Sequence, residues 1–375
     1  MKMSWARTII VGGLVMMCSD SARGGASCVA GIGFGTEESA VITGRWLEEA
    51  PNKIHGGSLL SKLYRNLDNY ETDEIPDAPI TIDVFGRRLE TRTDEEGWFR
   101  IEIEATSDAW FAPGIHEATI FLEIEDTGIQ VQAKIPILIY GRAQKTGILT
   151  DFDDTLVISD VPRKMALIVS TMTTDPEDLV PVPGMSDLFG RILGQRPNLA
   201  PPVFTVSGSP GNLYPRIQRF LEKHEFPGGP LFLKDLGLAT FVPNALLTRL
   251  PEGTFTPADG LTDSVAFKLR VLSSILTRFK WMQFYCFGDS GEDDAAIYEQ
   301  LAHDPRFENQ IRGIFIRRVP GVETPATGEG PAEAGSTESA LPEGVLPAKP
   351  PTAVDSSVSL KAVYFERVEE LDISP

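Results

Sequence analysis

The chain has 375 residues, 42% of them hydrophobic and 23% charged, and a formal net charge of -19. That length holds two domains with separate cores. The acidic balance, without any basic stripe, excludes a nucleic-acid footprint and disfavours adsorption to anionic lipid. The three cysteines make neither a disulfide framework nor a Cys-x-x-Cys pair, and the four histidines (His55, His116, His224, His303) are scattered. Neither a redox centre nor a His-rich metal site is expected from them.

Residues 1–28 read as a signal peptide. Lys2 and Arg7 precede an apolar run at 8–18, and small residues follow, with Ser19 and Ser21 or Gly24 and Ala26 as cleavage positions. The run is too short for a bilayer span, which needs about 20 residues. The expected location is secreted or periplasmic, with a cytoplasmic or membrane-peripheral protein as the alternative.

Residues 29–143 carry a period of two. Phe99, Ile101 and Ile103 alternate with Arg100, Glu102 and Glu104, and Ala118, Ile120, Leu122 and Ile124 alternate with polar neighbours and Phe121. Such alternation gives strands with one buried face, and short strands with turns between them predict an antiparallel β-sandwich. A turn falls at 93–97, where Gly97 relaxes the backbone. The run 135–140 closes the domain, and Pro136 marks an edge or a strand start.

From 144 to 319 the rhythm changes to strand and helix in alternation. Strands are predicted at 147–150, 203–206, 230–233, 283–287 and 313–319, with amphipathic helices at 213–224 and 263–277. The pattern demands a Rossmannoid parallel sheet with helices on both faces and a ligand site outside the carboxyl ends of its strands. Residues 320–360, rich in Pro, Gly, Ala and Glu, read as a disordered linker. Residues 361–375 turn apolar again and form a C-terminal element.

Chemistry gathers at the predicted strand ends. The run Ile148-Leu149-Thr150 stops in Asp151, Asp153 and Asp154, three carboxylates within four positions. Buried like charges are expensive unless a cation or a reacting group compensates them. A second apolar strand ends in Gly288-Asp289, followed by Glu292, Asp293 and Asp294. Hard oxygen donors without His or Cys select Mg2+. Between these, Ser207-Gly208-Ser209-Pro210 follows a strand, so Ser207 and the free N–H groups of a helix start can hold a phosphate oxygen; equally, both serines can be turn and cap residues. Lys268, early in the helix beginning near Asp263, can reach the strand ends as a point charge for phosphate, and Lys234 competes for that role.

The spacing Asp151-x-Asp153-x-Thr155 resembles the first motif of the haloacid dehalogenase superfamily. Together with Val182-Pro183-Gly184-Met185, Val206 to Pro210, Gly229 to Asp235 and Gly288-Asp289-Ser290-Gly291, it is similar to the actin-patch-associated, Mg2+-dependent phosphatidate phosphatase family. The β region resembles that family's N-terminal part through Gly33 to Thr36, Gly44-Arg45 and Thr93 to Phe99. The resemblance implies a Mg2+-dependent phosphatase that passes through a phospho-aspartate and converts phosphatidate to diacylglycerol. It makes Asp151 nucleophile and metal ligand, and Asp153 general acid, then base, and metal ligand. Asp289 and Asp294 complete the Mg2+ site. Ser207 and Lys268 stabilise the transferring phosphoryl group, while Thr155, Gly208 and Lys234 lie at the substrate. One departure is Phe267, where the family often has His.

The insert at 156–183, with apolar residues 165–172 beside Arg163 and Lys164, is too small for a full cap. The site is therefore expected to be open to bulky or membrane-presented phosphate monoesters, membrane phospholipid included. The insert reads either as a lipid-touching flap or as a helix packed on the sandwich. Soluble phosphate esters are the alternative substrates, and a non-catalytic surface protein is the third reading. A partner protein would dock through the sandwich or the Pro-rich segment.

Overall fold

The computed structural model describes residues 26–30, 32–48, 75–95, 97–124, 129–158, 179–194, 199–234, 263–320, 322 and 360–373. The first part holds β1 (Ala26–Ala30), β2 (Gly33–Thr36), β3 (Ser39–Glu48), β4 (Pro79–Val84), β5 (Arg87–Arg92), β6 (Trp98–Glu104), β7 (Gly114–Ile124) and β8 (Ile129–Tyr140). Their alternation buries Ile80, Ile82, Val84, Phe99, Ile103, Ala118, Ile120 and Leu122 in one core with Ile42 and Trp46. All eight strands belong to a single sheet, ordered β1-β3-β2-β8-β7-β4-β5 with β6 on β3. Two separate stacked sheets were expected. Instead, β3 pairs with β6 along one edge and with β1 and β2 along the other, and β2 joins β8 in parallel, so the hydrogen bonding is continuous.

Two sequence expectations shift here. Pro136 is not at a strand start: it lies inside β8, which sits between β2 and β7 instead of closing the sheet. Pairing with β2 begins only at Ile137, so the missing N–H of Pro136 falls where one side of the strand has no partner strand. Residues 26–28, read as the end of a targeting segment, belong to β1, where Ala26 and Cys28 are buried. Residues 1–25, the insert residues 159–178 with Arg163 and Lys164, and the Pro-rich stretch 323–359 lie outside the described residues.

The second sheet contains β9 (Thr146–Thr150), β12 (Val203–Pro210), β13 (Leu231–Lys234), β14 (Gln283–Asp289), β15 (Ile311–Arg317) and β16 (Val363–Phe365). Every pairing is parallel, in the order β13-β12-β9-β14-β15-β16. A small hairpin, β10 (Val157–Ile158) with β11 (Val180–Pro181), stands beside it. Helices α1 (Met185–Leu193) and α2 (Tyr214–Lys223) cover one face, packing Leu188, Phe189, Ile217 and Phe220 on Ile148, Tyr285 and Phe287. Helices α3 (Asp263–Arg278) and α4 (Asp294–His303) cover the other, on Leu149, Phe204 and Cys286. Both faces are buried, which is why these strands read as continuous apolar runs. Among the described residues no helix is long and apolar enough to cross a membrane.

The two sheets share a core boundary. Phe34 of β2 inserts between Phe204, Phe232 and Phe279. Above it, Arg278 of α3 pairs with Glu102 at 2.7 Å and donates to Ser39 Oγ at 2.9 Å. The order in which strands are added reverses between the parallel neighbours β9 and β14, since β12 and β13 extend the sheet on one side and β15 and β16 on the other. The crevice at their carboxyl ends is where an α/β sheet can hold a ligand.

Candidate active site

Strand β9 ends at the centre of the sheet, and Asp151 follows it, its N–H bonded to the Phe287 carbonyl at 3.0 Å. Beyond Asp151 the chain makes a tight turn. Phe152 packs edge-on against Phe220 below the sheet ends. Asp154 adopts a left-handed backbone (φ 54), and its carbonyl accepts a hydrogen bond from Arg317 at the end of β15. Asp154 thus anchors the turn, and Asp151 and Asp153 supply the buried carboxylates.

Strand β14 brings the second set. At Gly288 a Cβ would sit 2.5 Å from the Asp294 Cβ, so only glycine lets the start of α4 close against the strand tip. Asp294 Oδ2 accepts the Asp289 N–H at 3.3 Å, and Asp289 Oδ1 accepts the Gly291 N–H at 2.6 Å. The Tyr298 hydroxyl, bonded to the Phe287 carbonyl at 3.1 Å, holds α4 beneath the strand.

These elements converge Asp151, Asp289, Glu292 and Asp294, with one carboxylate oxygen from each lying within 4.8 Å of the others. Lys268 of α3 reaches into the group, 2.6 Å from Asp294, 2.8 Å from Glu292 and 2.9 Å from Asp151. It is 2% exposed, and so depends on these partners for its charge. Burial pushes the Lys268 pKa down, but the carboxylates outweigh it and hold the ammonium well above its usual range. Burial raises Asp151 well above the carboxylate range, against the pull of Lys268, and the neighbouring acids add to the rise. Asp289 and Asp294 shift in the same direction, with burial again the largest cause.

One ammonium cannot balance four carboxylates. Both oxygens of Asp151 and Oδ2 of Asp289 are buried without a hydrogen-bond partner, the Lys268–Asp151 approach being an ion pair out of line for a hydrogen bond. Unsatisfied hard oxygen donors with no His or Cys among them fit a hard divalent cation of the Mg2+ or Ca2+ kind.

Asp153, expected among the metal ligands, stands apart from this group. Its Oδ2 accepts hydrogen bonds from Ser209 Oγ at 2.5 Å and Ser207 Oγ at 3.1 Å. Burial raises its pKa to about 6 in spite of those two hydrogen bonds. Glu292 takes the fourth place instead. Its signal was in the sequence, three residues beyond Asp289, but the string of acids gave no reason to prefer it to Asp293. Ser209, which the sequence offers as a turn or cap residue, is the nearer of the two donors to Asp153. Gly208 is tight against the start of α3, where a Cβ would meet Ser264 Oγ at 2.6 Å. Thr155 is buried, its Oγ1 without a hydrogen-bond partner among the described residues. Lys234 ends the edge strand β13 beside Pro210, and it is Lys268, not Lys234, that meets Asp151. Phe267, a residue of α3, is buried in the core between that helix and the sheet.

Residues 146–318 match the family described as phosphatidate phosphatase APP1, catalytic domain. No curated protein matches the chain. Among solved structures, a carbohydrate acetylesterase from Xanthomonas citri shares 12% identity at TM-score 0.16, over 32% of this chain and 18% of that one. A protein of unknown function from Porphyromonas gingivalis shares 10% at TM-score 0.17, over 35% of this chain and 59% of its own. A beta-glucuronidase from Parabacteroides merdae, solved with glycerol in its active site, shares 9% at TM-score 0.24, over 79% of this chain and 34% of that one. The chain thus spans less than two thirds of each of these structures, and overlaps this slight establish neither a shared fold nor a shared chemistry.

Proposed function

We propose, from the match of residues 146–318 to the phosphatidate phosphatase APP1 catalytic-domain family, that the protein is a Mg2+-dependent phosphatase using a phospho-aspartate and acting on phosphatidate. One observation carries this reading: a buried Asp151 carboxylate with no hydrogen-bond partner faces three further acids and Lys268 at the tips of two adjacent parallel strands. The strand order, the Asp151-x-Asp153-x-Thr155 turn after the central strand and the short insert support placement in the haloacid dehalogenase superfamily.

Asp151 attacks phosphorus as the bond to the alcohol oxygen breaks, and Asp153 gives that oxygen its proton. Water then attacks the phosphorus of phospho-Asp151. Asp153 takes the water's proton, and phosphate leaves with the Asp151 carboxylate restored. In this reading Ser207 and Lys268 hold the phosphoryl oxygens as charge redistributes. Asp151, Asp289, Glu292 and Asp294 would hold the Mg2+, which when bound neutralises phosphoryl charge.

Turnover of phosphatidate in mixed micelles, compared with sugar phosphates and an aryl phosphate with Mg2+ or with EDTA, tests the reading. Phosphatidate should be preferred and EDTA should stop release. The net charge of -19 favours a second reading in which soluble phosphate esters are the substrates; preference for sugar phosphates would establish it. Asp151→Asn should abolish release, and unchanged activity would sink the phospho-aspartate. Export through the N-terminal segment is part of the proposal, and an uncleaved cytosolic protein on fractionation would overturn it.

A further inference from the structure

Two serines compete for the same oxygen of Asp153, and they are not equivalent. Ser207 Oγ lies 3.1 Å from Asp153 Oδ2, whereas Ser209 Oγ lies 2.5 Å from it. The backbone N–H of Ser209 also donates to Ser207 Oγ at 2.9 Å, so Ser207 is itself oriented by its neighbour. All three groups are buried, Asp153 at 7% exposure, Ser209 at 5% and Ser207 at 0%. A hydroxyl carries one proton to donate. If Ser207 donates it to a phosphoryl oxygen, its bond to Asp153 is given up at the moment the acid is needed. Ser209 has no such second duty.

We propose that Ser209 is a positioning residue for the proton donor, holding Asp153 Oδ2 as the accepting oxygen so that Oδ1 carries the proton toward the leaving alcohol. The inference rests on the phospho-aspartate reading above, in which Asp153 is the general acid. A carboxylic acid accepts through one oxygen and donates through the other. A donor fixed on Oδ2 therefore selects which oxygen is protonated and which way it points. The step it serves is unchanged in balance: the Asp151–phosphorus bond forms, the phosphorus–alcohol bond breaks, and the Asp153 proton ends on the alcohol oxygen.

Leaving-group dependence tests the idea, because an alkyl alcohol needs the proton and a nitrophenolate does not. In the full chain with Mg2+, kcat/KM for glycerol 3-phosphate or phosphatidate and for 4-nitrophenyl phosphate would be compared in wild type, Ser209→Ala, Ser209→Thr and Asp153→Asn, with inorganic phosphate inhibition as the measure of phosphate binding. Ser209→Ala should lose about 10- to 100-fold on the better alkyl substrate, reaching at most the lower end of the roughly 100- to 10,000-fold that general acid catalysis contributes, because the acid itself remains. It should change by less than about 3-fold on the aryl ester and in phosphate inhibition, and Ser209→Thr should recover most of the alkyl rate. Equal losses on both esters, weakened phosphate inhibition, or an unaffected alkyl rate would each overturn the positioning role. Asp153→Asn separates the two levels. If it loses the alkyl rate selectively while Ser209→Ala does not, only this inference fails; if it leaves the alkyl rate intact, the general-acid assignment fails with it.

Discussion

Replacing Asp289 by Asn should make the metal-free protein more stable, the reverse of the usual effect of altering a buried polar side chain. Asn keeps the oxygen that accepts the Gly291 N–H, and it replaces by an amide the Oδ2 that has no partner. What disappears is charge. At a separation of up to 4.8 Å and an effective dielectric of about 20, two like charges repel by about 3.5 kcal/mol. Asp289 faces Asp294 and Glu292 as repulsions and Lys268 as an attraction, which leaves roughly one such repulsion net. Protonation relieves part of it, so a gain of about 1–3 kcal/mol is expected near neutral pH.

Urea unfolding followed by circular dichroism, in EDTA and in saturating Mg2+, reads the effect. Wild type should gain about 2.7 kcal/mol from Mg2+ at a hundred times its Kd, and the variant much less. The pH dependence has a definite sign. The Asp289 pKa is raised by burial first and then by Asp294 and Glu292, so wild-type stability falls as pH climbs from about 4, the unfolded value, through the folded one. The advantage of the variant should therefore vanish below about pH 4. A lower midpoint in EDTA, or an equal Mg2+ increment in both proteins, would refute the reasoning.

Three other perturbations probe the frame around the site. Phe34→Ala should cost about 3–5 kcal/mol in urea unfolding, because the ring fills the boundary between Phe204, Phe232 and Phe279. Arg278→Ala should cost about 0.5–1.5 kcal/mol, since Glu102 is only partly buried and Ser39 loses a donor. Burial raises the Glu102 pKa, but Arg278 and Arg100 outweigh it and hold the group below its usual value. That contribution is present above the unfolded pKa and should be lost as pH falls through the folded one, which a double-mutant cycle with Glu102→Gln at two pH values would measure. Gly288→Ala should lower kcat about 100-fold with little change in circular dichroism, because the new Cβ displaces Asp294; retained activity would show that Asp294 is not needed at that position.

The sequence by itself determined the parts of the fold that are periodic and the parts of the site that sit at the end of a period. Strands β9, β12, β14 and β15 and helices α2 and α3 were legible because apolar spacing records which faces are buried, and Asp151 and Asp289 because a carboxylate directly after an apolar run has no structural excuse. Only the tertiary structure decided how the acids divide. Glu292 joins Asp151, Asp289 and Asp294, while Asp153 turns away to Ser207 and Ser209, since the direction of a side chain in a turn depends on the left-handed Asp154 and its tie to Arg317, a residue more than 160 positions away in the chain. In the same way, the period of two announced a half-buried sheet but not that its eight strands would join into one, nor that β16 would return to extend the other. Alternation reports burial at each position, whereas pairing between distant strands leaves no local trace.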